Sequence, residues 1–396
     1  MDTIIENERR LKQSRIYDVF TPSSPIKSAA LFCGREKQVE SIIQNFGSVG
    51  NHVLLYGDRG VGKTSLALCT CNIALSAGII SKKICKSCDS NDTFASIMEH
   101  ILQNLGIEIV TKHEKISGAN IGIEMLNISK SCTEEINIPT PFFSPSRIAD
   151  LLSDHPCVVV LDEFDVIQDA STKRDIAQLM KQISDRGCKV IIVVVGIASN
   201  ANELLSGHQS VTRCLREIKL NRMSDDEICR IITNGEDRLG IKFEEEVKQK
   251  IVKASMGFPY FAHLLCLESA KEAIINEQKL IDNAYYQKGI GNSINQIEQT
   301  FKDKYFDAIG RNHNEDKRRI LLAASMCNPE SFTARDLREK YESLFGTTIE
   351  QLEINNAMSK AITETQSSVI HRIRKGLYRF NDPRMPCFIQ LMHNRS

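Results

Sequence analysis

In the stretch YGDRGVGKTSL, residues 56–66, Gly57, Gly62, Lys63 and Thr64 stand at the spacing GxxxxGK[ST]. Glycines let the backbone curl so that the N–H groups of Asp58, Arg59, Gly60, Val61 and Gly62 face phosphate oxygens. A helix opening at Lys63 would aim its positive end at the same place. Lys63 is expected to reach the β and γ phosphates, the Thr64 hydroxyl to ligate Mg²⁺, and Ser65 to join the binding loop. Further along, CVVVLDEFD, residues 157–165, ends a buried run in carboxylates. Asp162 can hold the Mg²⁺ shell from across a sheet, and Glu163 can polarise a water toward the γ-phosphate. Asp165 either lines the same site or caps the next helix.

These groups need strands to bring them together. HVLLYG runs into the loop, SLALCTCNIAL runs out of it as a helix, and KKICKS, CVVVLDE, KVIIVVVG and REIKLN are further strand-like runs. Short, nearly continuous apolar strands separated by helices indicate an α/β fold, a parallel sheet covered on both faces. The chain divides into a lead-in (1–33), an α/β core (34–220), a helical segment (221–300) and a C-terminal domain (301–396). Within the core, residues 107–156 read as an insertion. Its alternation at Ile121, Ile123 and Met125 predicts a hairpin, and Pro139, Pro141 and Pro145 an irregular loop. SDDEICRII opens the helical segment with a capping box, Ser224 with Glu227.

The 50 basic and 50 acidic residues balance, so no whole-molecule field draws the chain to nucleic acid or membrane. The charged N-terminus lacks the apolar core of a signal peptide, and the longest apolar run, around Val190–Val195, is too short to span a bilayer. An odd count of 13 cysteines in such a chain predicts free thiols in a reducing, cytoplasmic setting. Cys85 and Cys88 form a CxxC with no second ligand pair, which favours core packing over zinc.

From about Pro22 onward the chain resembles the AAA+ P-loop ATPases, in particular their origin-recognition-like and STAND-like (signal-transduction) groups. The resemblance implies an ATP/ADP site with Mg²⁺ and ATP hydrolysis. LFCGREKQVESI matches the box before the P-loop in those groups, which places Phe32, Gly34 and Arg35 near the adenine. IASNANELL follows the strand that carries sensor 1, for which Asn200 and Ser199 are the candidates. HQSVTRCLREIKL resembles the box bearing the arginine finger, Arg213 or else Arg216, which acts on a neighbouring subunit and so implies a homo-oligomer.

ASMGFPYFAHLL interrupts a long helical pattern with Gly257 and Pro259. Gly257 can end one helix in a left-handed conformation, and Pro259 can start the next where its missing N–H costs little. Gly257-Phe258-Pro259 resembles the GxP motif of STAND-like ATPases, whose proline lies against the adenine. No arginine occupies 258–265, so a standard sensor 2 is missing; His263 either faces the nucleotide or belongs to the core.

Helices near 315–327, 333–345 and 350–364, then a hairpin around Lys375-Gly376, give the order of a winged helix. Its third helix carries Glu350, Glu353 and Glu364 against one Lys360, a poor surface for DNA, whereas Arg372, Arg374, Lys375 and Arg379 make a basic wing. Three functions follow: a nucleotide-gated oligomeric switch with a protein partner, an ATP-dependent DNA-binding initiator, loader or transposition-type regulator, and a nucleotide-holding signalling module. On the STAND-like resemblance the setting is a bacterial defence or mobile-element system.

Overall fold

The longest apolar run, Val190–Ile197, becomes the middle strand of a five-stranded sheet and is buried along nearly its whole length. The computed structural model describes residues 14–26, 28–112, 125–129, 135–138, 143–198, 204, 209–310, 314–361 and 368–394. With strands numbered along the chain, the sheet contains β1 (His52–Gly57), β2 (Lys83–Ser87), β6 (Cys157–Asp162), β7 (Val190–Ile197) and β8 (Leu215–Lys219). Their order is β2-β6-β7-β1-β8, and every pairing is parallel. Val194 sits opposite Leu54 on one side and Leu161 on the other, which sets the register of the three central strands.

Unbroken apolar strands suit a sheet with helices on its faces. Ile97 and Ile101 from helix Phe94–Leu105, and Ile176 and Met180 from helix Ala170–Asp185, pack with Val159 and Ile192 in one core. Each such side chain withdrawn from water contributes about 1.5–3 kcal/mol. A polar pin joins sheet and helix. His52 Nε2 lies 2.8 Å from the Met180 carbonyl, and its Nδ1 accepts from Ile192 N at 3.0 Å. Burial lowers the pKa of this imidazole to about 4, so it serves as a neutral bridge.

Contacts divide the chain into two units. One comprises Pro25–Asp58 and Gly62–Asn221, and holds the parallel sheet; the other comprises Met1–Ser24, Arg59–Val61 and Arg222–Ser396. The insertion differs from the expected hairpin and loop. β3 (Glu108–Lys112), β4 (Met125–Ser129) and β5 (Glu135–Ile138) form an antiparallel sheet in that order. Its third strand, Glu-Ile-Asn-Ile, alternates polar and apolar residues over four positions, too short a signal to separate from a loop. Pro145 is not in an irregular loop either: it opens helix Pro145–Leu152 behind the Ser144 cap. Ile121, Ile123, Pro139 and Pro141 lie outside the described residues.

The second unit is mostly helical. Helix Asp225–Leu239 opens with the Ser224–Glu227 capping box. Helices Glu245–Ser255 and Pro259–Ile275 flank the glycine–proline break, and both Met256 (φ 48°) and Gly257 (φ 76°) are left-handed there. The turn therefore starts one residue earlier than the glycine suggests. Helices Glu315–Ser325, Ala334–Phe345 and Gln351–Ala361 follow, with β11 (Phe332–Thr333), β12 (Ile370–Arg374) and β13 (Leu377–Phe380) in the antiparallel order β11-β13-β12. No helix among the described residues is long and apolar enough to cross a membrane.

Candidate active site

β7 lies between β6 and β1, so the carboxyl ends of all three open on one edge of the sheet. Ligand sites of open parallel sheets form at that edge. From β1 the chain enters the loop at Gly57, where a Cβ would stand 2.3 Å from the Leu220 carbonyl oxygen and φ is 149°. Only glycine fits. Helix Lys63–Ser76 begins with Gly62 at its N-cap, and no side chain caps its first turn. The N-terminus of such a helix favours an anion. Lys63 is buried and folds back on the loop, donating to the Gly57 carbonyl at 3.1 Å and the Asp58 carbonyl at 2.8 Å.

From β6 comes Asp162, which accepts from the Thr64 hydroxyl at 3.2 Å and from Glu163 N at 3.0 Å. Burial pushes its carboxyl above the ordinary range, and the Thr64 hydrogen bond opposes that rise. A hydroxyl at a helix start and a carboxylate at a strand end, held together, are the hard oxygen donors that Mg²⁺ takes. Glu163 is left-handed (φ 55°, ψ 33°), a conformation uncommon for a residue with a side chain. The turn swings its exposed carboxylate toward β2, where the Ser87 hydroxyl donates to Oε2 at 3.0 Å.

The structure brings Gly57, Asp58, Gly62, Lys63, Thr64, Asp162 and Glu163 together in one unit. Arg59, Gly60 and Val61 cluster with the other unit, where Arg384 Cδ lies 3.0 Å from where a Cβ on Gly60 would be. The Ser65 hydroxyl accepts from Ile26 N at 3.1 Å. Gly34 is left-handed at φ 82° and its N–H donates to Glu36. Arg35 is buried and donates to the Asn221 carbonyl at 2.6 Å; with Phe32, Val39 and Ile43 it lines a cavity of about 290 Å³.

Asn200 and Ser199 lie outside the described residues. Arg213 is exposed and ion-paired with Asp185, and Arg216 donates to the Ser41 hydroxyl at 3.3 Å. Pro259 occupies the first position of its helix, next to Phe258, which is fully buried beneath the Arg222 guanidinium at 4.4 Å. His263 is buried and accepts from Thr21 N at 3.3 Å, so it belongs to the core of its unit.

The profile of nSTAND1, Novel STAND NTPase 1, matches residues 25–367. The chain belongs to this family. No curated protein sequence matches it. Among solved structures, the Walker-type ATPase PABY2304 of Pyrococcus abyssi is 14% identical, with a TM-score of 0.52, covering 93% of this chain and 99% of its own. The Aeropyrum pernix ORC2 protein, solved as ADPNP–ADP complexes, is 15% identical at a TM-score of 0.52, covering 91% and 93%. Cdc6p from Pyrobaculum aerophilum is 16% identical at 0.50, covering 95% and 98%. The fold of this STAND NTPase is therefore that of the AAA+ origin-recognition and Cdc6 ATPases.

One residue beside the site of the STAND NTPase, Ser87, escapes the sequence, and the sequence leaves Asp165 between two roles. Ser87 ends a half-exposed strand, and only the pairing of Ser87 with Asp162 in the β2–β6 register brings it beside Glu163. Asp165 does not cap the following helix. Asp169 does that, accepting from Ser171 N and Thr172 N, while Asp165 turns to β7.

Proposed function

We propose that this STAND NTPase binds ATP with Mg²⁺, hydrolyses it to ADP and phosphate, and works as an oligomeric switch. Its nucleotide state passes to a protein partner through a helical lid (221–300) and a C-terminal winged-helix domain (301–396). The convergence of Lys63, Thr64, Asp162 and Glu163 on one sheet edge carries this reading. Loop N–H groups and Lys63 hold the phosphates. Thr64 and Asp162 would hold Mg²⁺, which would supply neutralisation of phosphate charge. Glu163 takes the proton of a water as its oxygen bonds to the γ-phosphorus and the bond to the bridging oxygen breaks. Asn200 orients that water or contacts the γ-phosphate. Arg213 is exposed, as a finger acting on a neighbouring copy must be. Every described cysteine is a free thiol, consistent with work in the cytoplasm, and we infer a bacterial defence or mobile-element setting from the STAND-like sequence resemblance alone.

A second reading, ATP-dependent DNA binding, is favoured by one feature: Arg372, Arg374 and Lys375 stand exposed on the β12–β13 hairpin, with Arg379 beside them. The Aeropyrum pernix ORC1 protein, similar in fold at a TM-score of 0.50, was solved in complex with DNA.

Binding of labelled ATP and release of phosphate, measured with Mg²⁺ on wild type and Lys63→Ala, test the first reading. Lys63→Ala is expected to weaken ATP about 100-fold, or ~2.7 kcal/mol, and to abolish release. Wild-type ATP affinity in Lys63→Ala contradicts it.

A further inference from the structure

β6 and β7 are unequal partners. Their ladder runs from Cys157↔Val190 to Leu161↔Val194, and then β6 leaves at Asp162 while β7 continues to Ile197. On that side β7 beyond Val194 has no β6 residue opposite it in the ladder, so the N–H of Ile197, at the exposed end of the strand, takes its acceptor from water or from another segment. The turn after β6 supplies one. Asp165 Oδ1 accepts from Ile197 N at 2.7 Å. The approach is close: a Cβ on Gly196 would lie 3.0 Å from Asp165 Oδ1 and 2.6 Å from Leu204 Cδ2. The same turn is anchored by Phe164 and Ile167, both buried, and closed by Val166 N donating to the Glu163 carbonyl at 3.0 Å.

We propose that Asp165 is a positioning residue for hydrolysis, clamping the Glu163 turn to the carboxyl end of β7 so that base and sensor strand keep a fixed separation. This role rests on the reading of Glu163 as the base. Asp165 touches no reacting atom. It acts through the backbone at Ile197 on one side and through the left-handed turn at Glu163 on the other. An ångström of misplacement at such a centre can cost about 100-fold in rate. Free play in this clamp therefore shows in kcat, while the phosphate loop, built on β1, keeps its affinity for ATP.

The test uses the full chain with Asp165→Ala, Asp165→Asn and Asp165→Glu, beside wild type and Glu163→Gln. Asparagine keeps an acceptor oxygen at the same reach, whereas glutamate keeps the charge and moves the oxygen one methylene away. Asp165→Ala and Asp165→Glu are expected to lower kcat about tenfold or more with KM for ATP within about twofold, and Asp165→Asn to stay within about threefold of wild type. If the alanine variant does not fold, the asparagine–glutamate pair decides. Asp165→Glu turning over as fast as Asp165→Asn, or KM rising in step with the loss of kcat, overturns the proposal. Equal turnover by wild type and Glu163→Gln overturns the reading of Glu163 as the base, and the clamp's role with it.

Discussion

In the loop after β1, Lys63 is 8% exposed and tied to two carbonyls of its own loop, whereas in the β12–β13 hairpin Arg372, Arg374 and Lys375 stand exposed around Gly376. Both segments are a strand, a glycine-containing turn and basic residues. In the first, backbone dictates residue type. Gly57 is required by the Leu220 carbonyl, Gly62 starts the helix in a left-handed conformation, and Lys63 donates to the Gly57 and Asp58 carbonyls. In the second, the turn needs a glycine, while Arg372, Arg374 and Lys375 are exposed, the Arg372 guanidinium lying 5.9 Å from the centre of the Tyr378 ring. A motif with a backbone reason specifies a ligand, while a charged surface specifies only a sign of charge.

That contrast can be broken at its two glycines. Gly57→Ala forces a Cβ toward a carbonyl oxygen at 2.3 Å, so ATP affinity is expected to fall about tenfold or more together with the melting temperature. Gly376→Ala, at φ 79° with nothing within 4 Å, is expected to cost only the left-handed penalty of about 1–2 kcal/mol and to leave ATP binding unchanged. Equal effects at the two sites would erase the distinction. A smaller effect sharpens it. Replacing Arg372, Arg374 and Lys375 by alanine is expected to leave ATP turnover within about twofold, and on the switch reading wild type itself is expected to bind DNA no more tightly than non-specific binders do. A loss of tight DNA binding in mobility shifts at two salt concentrations would move the account to the second reading.

The fold was legible where one period dominated. β1, β6 and β7 are apolar throughout, and a strand buried on both faces announces itself that way. The break at Gly257 and Pro259 was legible because both residues restrict the backbone, although the left-handed turn also includes Met256, which carries no such signal. The insertion was not. β5 is four residues long, and its pairing with β4 is a tertiary event. Within the site, Lys63, Thr64, Asp162 and Glu163 could be chosen from spacing alone. Ser87 could not, and Asp165 stayed open between two roles, because both depend on tertiary pairing: Ser87 opposite Asp162, and Asp165 beside the end of β7 that runs past its ladder with β6. Register is the one quantity that a single strand's sequence does not contain.

The central claim is that Glu163, held by Ser87 on the sheet edge that also carries Lys63 and Asp162, supports hydrolysis of bound ATP. The direct measurement is the identity of the nucleotide on the full chain after incubation with ATP and Mg²⁺, for wild type and for Glu163→Gln. The account predicts ADP on wild type and intact ATP, bound with wild-type affinity, on Glu163→Gln. ADP accumulating on both at the same rate would contradict it.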